Sequence, residues 1–141
     1  MLANREDILN FIPQRRPIVM VHRLASANDD TAVTEFDIEP NNVFISEGRF
    51  AEPGMVENIA QTAAVHIGYQ CSQKNIPIPI GYIAAIKDLR VKDRPLVNSS
   101  ITTSVKVVNK VLDITVVQGM ITQGNETLCT CEMRIFAKLQ A

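Results

Sequence analysis

Apolar and polar residues follow a period of two over most of the chain and a helical period in one place. The final stretch is the clearest: Cys129, Cys131, Met133, Ile135, Ala137 and Leu139 alternate with Thr130, Glu132, Arg134 and Lys138, the mark of a strand with one buried face. Similar runs at about 80–92, 99–111 and 114–123 precede it, and the closing one covers 127–139. Turn signals fall near Arg94-Pro95, Leu112-Asp113 and Gly124-Asn125, so these four strands predict an antiparallel meander. Upstream, Ala32, Thr34, Phe36 and Ile38 alternate with Val33, Glu35 and Asp37. The apolar run Ile18–Val21 predicts a strand continuing toward Ser26, with a hairpin turn at Asn28-Asp29-Asp30. One segment, from about Pro53 to Lys74, reads as a long helix, with proline in its first turn and Pro77 and Pro79 preventing its continuation. Gly54, Ala60, Ala63, Ala64 and Gly68 make it rich in small residues, so other elements can approach closely. Asn4 caps a short N-terminal helix that Pro13 ends. The expected architecture is α+β: two strands, one central helix, then four strands, with an antiparallel sheet of about six strands wrapped around the helix. The expected domain is single, residues 1–141.

Composition changes this picture little but excludes several functions. With 46% hydrophobic and 21% charged residues, the chain can bury a core and does not read as disordered. Fourteen Lys+Arg against fifteen Asp+Glu give a net charge of −1. No Lys/Arg cluster stands out, so no nucleic-acid partner is expected. No apolar run reaches the roughly 20 residues of a membrane span. The opening Met-Leu-Ala-Asn-Arg-Glu-Asp lacks an apolar leader pattern. Cys129 and Cys131 project from the same face of one strand and cannot close a disulfide; with Cys71 and no nearby His they make a poor zinc pattern. Buried thiols in a reducing cytoplasm are the expectation. No metal and no cofactor is implied.

Several motifs, collinear over nearly the whole chain, carry a resemblance. Ile12-Pro13-Gln14-Arg15-Arg16-Pro17-Ile18-Val19-Met20-Val21-His22-Arg23-Leu24 resembles the opening Leu-Pro-His-Arg-x-Pro-Phe-Leu-Leu-Val-Asp-Arg-Val of the small 3-hydroxyacyl-ACP dehydratases. Glu57-Asn58-Ile59-Ala60-Gln61 is similar to that family's Glu-Ala-Met-Ala-Gln on its central helix, and Ile83 to Pro95 to its third strand and following turn. A shortened loop before Glu-x-x-Ala-Gln-Thr, a Gly-Tyr-Ile at the next strand and a proline-rich lead-in resemble the dehydratase-like subunits of aryl-polyene biosynthesis. The resemblance implies a hot-dog fold and a dimer, with itself or with a second hot-dog subunit. It also implies a substrate presented as a thioester of acyl carrier protein or CoA.

Dehydrating a 3-hydroxyacyl thioester requires a base for the C2 proton, an acid for the leaving hydroxyl and donors for the thioester carbonyl. The resemblance makes Glu57 the acid, and Gln61, one turn later, a group that orients Glu57 or the substrate. It places the carbonyl donors at the helix N-terminus, on the backbone N–H groups of Gly54 and Met55. The plain alternatives are a solvent-exposed glutamate favoured by the helix dipole and an ordinary polar glutamine. Glu47-Gly48-Arg49-Phe50 resembles the family's Gly-His-Phe with Arg49 in the place of the basic histidine, and a guanidinium cannot act as a base near neutrality. Arg49 reads as a surface residue or as a contact for phosphate or carbonyl.

Two histidines remain as base candidates. His22 stands where the family has Asp. His66 comes nine residues after Glu57; at about 100° per residue it faces the opposite side of the helix. Both read more readily as structural. Ala60, Ala64, Gly81, Ala84 and Ala85 leave room for a substrate channel or for tight helix-on-sheet packing. Arg15 and Arg16, with Lys87, Arg90, Lys92 and Arg94, offer a cationic rim to a carrier or simply a solvated surface. Three functions follow: a dehydratase subunit that has the acid and takes its histidine from a partner, an acyl-thioesterase in which Glu57 activates water, and a non-catalytic acyl-binding subunit.

Overall fold

A computed structural model describes residues 1–138. A one-turn 3₁₀ helix at Asp7–Asn10 is followed by β1 (Arg23–Ala27), β2 (Thr31–Asp37), β3 (Ile45–Ser46) and β4 (Arg49–Phe50). Then come α1 (Glu52–Gln73), β5 (Gly81–Val91), β6 (Ser100–Val111), β7 (Ile114–Gln123) and β8 (Glu126–Ala137). Six strands form one antiparallel sheet in the order β1-β2-β6-β7-β8-β5, and α1 packs across its inner face. This is the expected α+β hot-dog arrangement. β8 follows the predicted alternation, burying Leu128, Cys129, Cys131, Met133, Ile135 and Ala137; Leu139 lies outside the described residues.

Two expectations need correction. The N-terminal helix is a single 3₁₀ turn whose N-cap position is Glu6 and not Asn4; Asn4 Oδ1 accepts the amide N–H groups of Glu6 and Asp7 at 3.1 and 3.2 Å in the turn just before it. Ile18–Val21 is not a strand, and β1 begins only at Arg23. Met20 and Val21 are fully buried, but α1 rather than a neighbouring strand takes up the backbone. Gln61 Oε1 accepts the Met20 N–H at 2.6 Å, Gln61 Nε2 donates to the Ile18 carbonyl at 2.8 Å, and Asn58 Nδ2 donates to the Met20 carbonyl at 2.7 Å. The stretch read as irregular, 40–50, contains the two-residue hairpin β3–β4.

α1 is 22 residues long and buried on several sides. Met55, Ile59, Thr62 and His66 share the face turned to the sheet, while Glu57, Ala60 and Ala64 share the opposite one. The sheet-facing side carries a closed polar chain. Thr103 Oγ1 donates to Asn58 Oδ1 at 2.5 Å, and Thr62 Oγ1 donates to the Asn58 carbonyl at 2.8 Å. The Thr62 hydroxyl has a single proton, so Thr34 is the donor in the 2.8 Å contact between their oxygens. Thr34 and Thr103 are direct neighbours across β2 and β6. Gly68 sits against the lead-in: a Cβ there would fall 2.0 Å from the Phe11 carbonyl oxygen, which fixes residues 11–18 over the helix.

The sheet's two edges differ. Leu2 N–H donates to the Leu24 carbonyl and Leu24 N–H to the Ala3 carbonyl, each at 2.9 Å, so the N-terminal segment covers β1. β5 has no strand on its outer side among the described residues. Its Tyr82 is 63% exposed, and Ile83, Ile86 and Leu89 are each about two-fifths exposed.

Candidate functional site

A cavity of about 240 Å³ opens between the outer face of α1, the lead-in and the β8–β5 end of the sheet. Glu57, Ala60, Ala64 and Gly81 line it, together with Gln14 and Tyr82. Glu57 is half-buried; its Oε1 accepts from Gln61 Nε2 at 2.9 Å. Gln61 is completely buried, and its carboxamide is fully used, with one proton on Ile18, the other on Glu57, and its oxygen on Met20. It therefore orients Glu57 and anchors the lead-in at once.

The remaining candidates lie elsewhere. Ala84 and Ala85 do not line the cavity: the β5–β8 register slips between Ile83 and Ala85, leaving Ala84 exposed. Gly54 and Met55 are buried in the first turns of α1, outside the cavity lining. Met55 N–H donates to the Ala51 carbonyl at 3.1 Å as the first helical bond. Gly54 is required by packing, since a Cβ would come within 2.5 Å of the Phe50 ring. Arg49 turns toward the loop before β6, donating to the Arg94 carbonyl at 2.7 Å and pairing with Asp93 at 3.3 Å. Arg15 donates to the Ile12 and Gln14 carbonyls, both at 2.8 Å, and Arg16 lines a separate cavity of about 490 Å³.

Neither histidine reaches Glu57. His66, buried on the sheet-facing side, donates from Nε2 to the Asn28 carbonyl at 2.7 Å and so holds the β1–β2 turn. His22 lines the larger cavity with Arg5, Arg16 and Glu39. Its Nδ1 accepts the Asp37 amide N–H at 3.1 Å, and Arg5 Nη2 lies 2.7 Å from Nε2 and 2.6 Å from Glu39 Oε1. Protonating Nδ1 would displace the hydrogen bond from the Asp37 backbone N–H and set a cation beside Arg5. Burial, then Arg5 and more weakly Arg23, push its pKa down to about 4 against the opposing pull of Asp37 and Glu39.

The unfolded chain thus takes a proton between pH 6.5 and about 4 that the folded chain refuses, and stability falls as pH falls through that window. The Asp37 carboxyl, held well below the usual range chiefly by Arg23, loses its contribution only in stronger acid. Urea midpoints at pH 7, 6 and 5 are expected to decline for the parent and to decline less for His22→Gln. Identical declines in both would refute this assignment.

Sequence reasoning missed Asn58 and Thr62 as organisers of the site. The available signal was a run of polar residues on a helix flanked by strands on both sides, where each polar group needs a partner.

The fold and the cavity define a hot-dog protein with a carboxyl-bearing pocket beside an unpaired sheet edge. The chain belongs to the ApeP-like family, the ApeP dehydratases, which it matches over residues 6–141. Among solved structures it is similar to the dehydratase heterocomplex ApeI:P from Xenorhabdus doucetiae, with a TM-score of 0.87 at 13% identity, covering 93% of this chain and 90% of that one. A hypothetical thioesterase with coenzyme A from Streptococcus pneumoniae gives a TM-score of 0.66 at 13% identity, with 84% and 86% covered. The PaaI protein of the E. coli phenylacetic acid degradation operon gives 0.63 at 10% identity, with 80% of each chain covered. No curated protein sequence matches significantly. No helix among the described residues is long and apolar enough to cross a membrane.

Proposed function

We propose that this chain is one subunit of a dehydratase acting on 3-hydroxyacyl thioesters in fatty-acid or polyene-type biosynthesis, with Glu57 as the acid. A histidine from a second hot-dog subunit is the base. The carrying observation is a cavity that, among the described residues, is lined by a carboxyl and no histidine and lies beside an edge strand that none of them covers. The base takes the C2 proton, the C3–O bond breaks, and Glu57 gives its proton to the departing hydroxyl, which leaves as water. Return of the C2 proton from the base to Glu57 closes the cycle. Pairing along β5 would cover Tyr82, Ile83 and Ile86 and bring the partner's residues to the cavity mouth. That the Xenorhabdus relative is a heterocomplex supports this arrangement.

The test is intact-mass analysis of a short 3-hydroxyacyl carrier protein incubated with this chain alone and with a histidine-bearing hot-dog partner. No change alone and loss of one water with the partner are expected. Full-rate dehydration by the chain alone would remove the shared-site reading, and release of free acid and thiol would replace dehydration by thioester hydrolysis.

A further inference from the structure

The Glu57 cavity runs along one face of α1. Glu57, Ala60, Ala64 and Ile67 line it in that order, three or four residues apart and so one above the other on the helix. Between the carboxyl and Ile67 this row carries only methyl groups. Ile67 and Ala137 also line a second cavity, of about 130 Å³, which continues toward the C-terminal end of α1 against Cys71 and Ile76. These two residues are therefore the wall between the cavities. Both sides of the wall are tied into the fold. Ala137 sits opposite Gly81 in the β5–β8 ladder, and its N–H donates to the Asp113 carbonyl at 3.0 Å. The Ile76 N–H donates to the Cys71 carbonyl at 2.9 Å, which turns the chain leaving α1 back against the helix end.

We infer that Ile67 sets the length of acyl chain that the site accepts, by stopping the tail of a thioester whose C3 lies at Glu57. This inference rests on the dehydratase reading and names the substrate class within it, medium-chain 3-hydroxyacyl thioesters. The order of the lining gives the direction: with C3 held at Glu57, the tail passes Ala60 and Ala64 before it meets a larger side chain. The volume gives the length. A methylene takes about the room of one water, ~30 Å³, so a cavity of about 240 Å³ has space for about eight carbons, C3 to C10. The second cavity would take about four more, but Ile67 closes the way to it. Ile67 comes ten residues after Glu57, about 15 Å along the helix axis, and its own side chain fills the last part of that span.

Saturated acyl-pantetheines from butanoyl to hexadecanoyl, which have no hydroxyl to lose, test this by calorimetry on the chain alone and in the assembled complex. Affinity is expected to rise about fourfold per methylene up to about ten carbons and then to level off or fall. Ile67→Ala, which joins the two cavities, is expected to move that break to about fourteen carbons with butanoyl affinity unchanged. Ala64→Leu, which fills the cavity one turn nearer Glu57, is expected to bring it below about eight carbons, and it decides the matter if Ile67→Ala lowers the melting temperature. A break that stays where the parent has it, in an Ile67→Ala variant that melts with the parent or in Ala64→Leu, overturns the inference and leaves the dehydratase reading intact. So does an affinity that climbs through the whole series in the parent. Failure of every chain length to bind, alone and in the complex, would instead overturn the thioester reading and this inference with it.

Discussion

Glu57→Gln is expected to lower the dehydration rate of the assembled complex by about 10²–10⁴-fold, the usual worth of a positioned acid, and to leave the fold untouched. The asymmetry follows from what Glu57 touches. Its one hydrogen bond within the described residues is the 2.9 Å contact from Gln61 Nε2 to Oε1, and a carboxamide oxygen at the same place accepts that bond equally well. The replaced atom, Oε2, makes no hydrogen bond among the described residues, so an NH₂ group there orphans none of their partners. Chemistry is different: a primary amide cannot release a proton to a leaving hydroxyl. The loss should therefore appear in kcat, with KM for the 3-hydroxyacyl thioester changing much less. Steady-state kinetics together with a thermal melt decide the matter. A variant within tenfold of the parent rate would mean that another group supplies the proton, and a melting point lowered in step with activity would mean that Glu57 is structural.

How far the sequence reached depends on where each residue's partner lies. The alternation in β8 was legible because one face of that strand is wholly buried, so the pattern in the chain is the pattern of burial. The placement of His66 was equally legible: helical arithmetic alone puts it away from Glu57, and its hydrogen bond to Asn28 lies on the sheet-facing side. Ile18–Val21 misled because an apolar run reports burial and not what provides it. Here the backbone bonds go to Gln61 and Asn58, about forty residues away in the chain, which no local pattern records. Asn58 and Thr62 were opaque for the same reason, since Thr103 and Thr34 meet them only after the sheet has curled. Ala84 was placed in the channel on size alone, but a register slip in β5, invisible to a period-two reading, turned it out. The resemblance supplied what pattern could not, namely Glu57 as the residue to look for.

The two cavities then divide the titratable groups in an informative way. His22 Nδ1 accepts the Asp37 amide N–H and Arg5 pairs with Glu39, so the charged groups around His22 in the larger cavity are already held within the fold. The smaller one is lined by Glu57, whose Oε2 makes no hydrogen bond among the described residues. Size would favour the first as a binding site; unsatisfied chemistry favours the second, and it is the second that lies beside the open β5 edge. On the dehydratase reading proposed above, a partner along that edge would supply the base.

Gln61→Leu is expected to destabilise the protein by about 3 kcal/mol, because leucine is close to glutamine in size and removes only its hydrogen bonds. The change strands the Met20 N–H and the Ile18 carbonyl against the helix; unpaired buried groups cost about 1–3 kcal/mol each, and some relaxation of the lead-in toward water recovers part of that. For a chain of this size the melting temperature should fall by about 10 °C. Gln61→Glu should be worse near neutral pH. A carboxylate can still accept the Met20 N–H, but it cannot donate to Ile18 or to Glu57, and it puts a charge at a fully buried position. Lowering the pH returns a proton to the introduced carboxyl, so the penalty of Gln61→Glu is expected to shrink in mild acid while that of Gln61→Leu stays level. Thermal melts of both variants at pH 7 and pH 5 separate the two effects. A leucine variant that melts with the parent would show that the lead-in is held by Asn58 and Gly68 alone, and Gln61 would then serve only to orient Glu57. In that case its loss would register in kcat and not in stability.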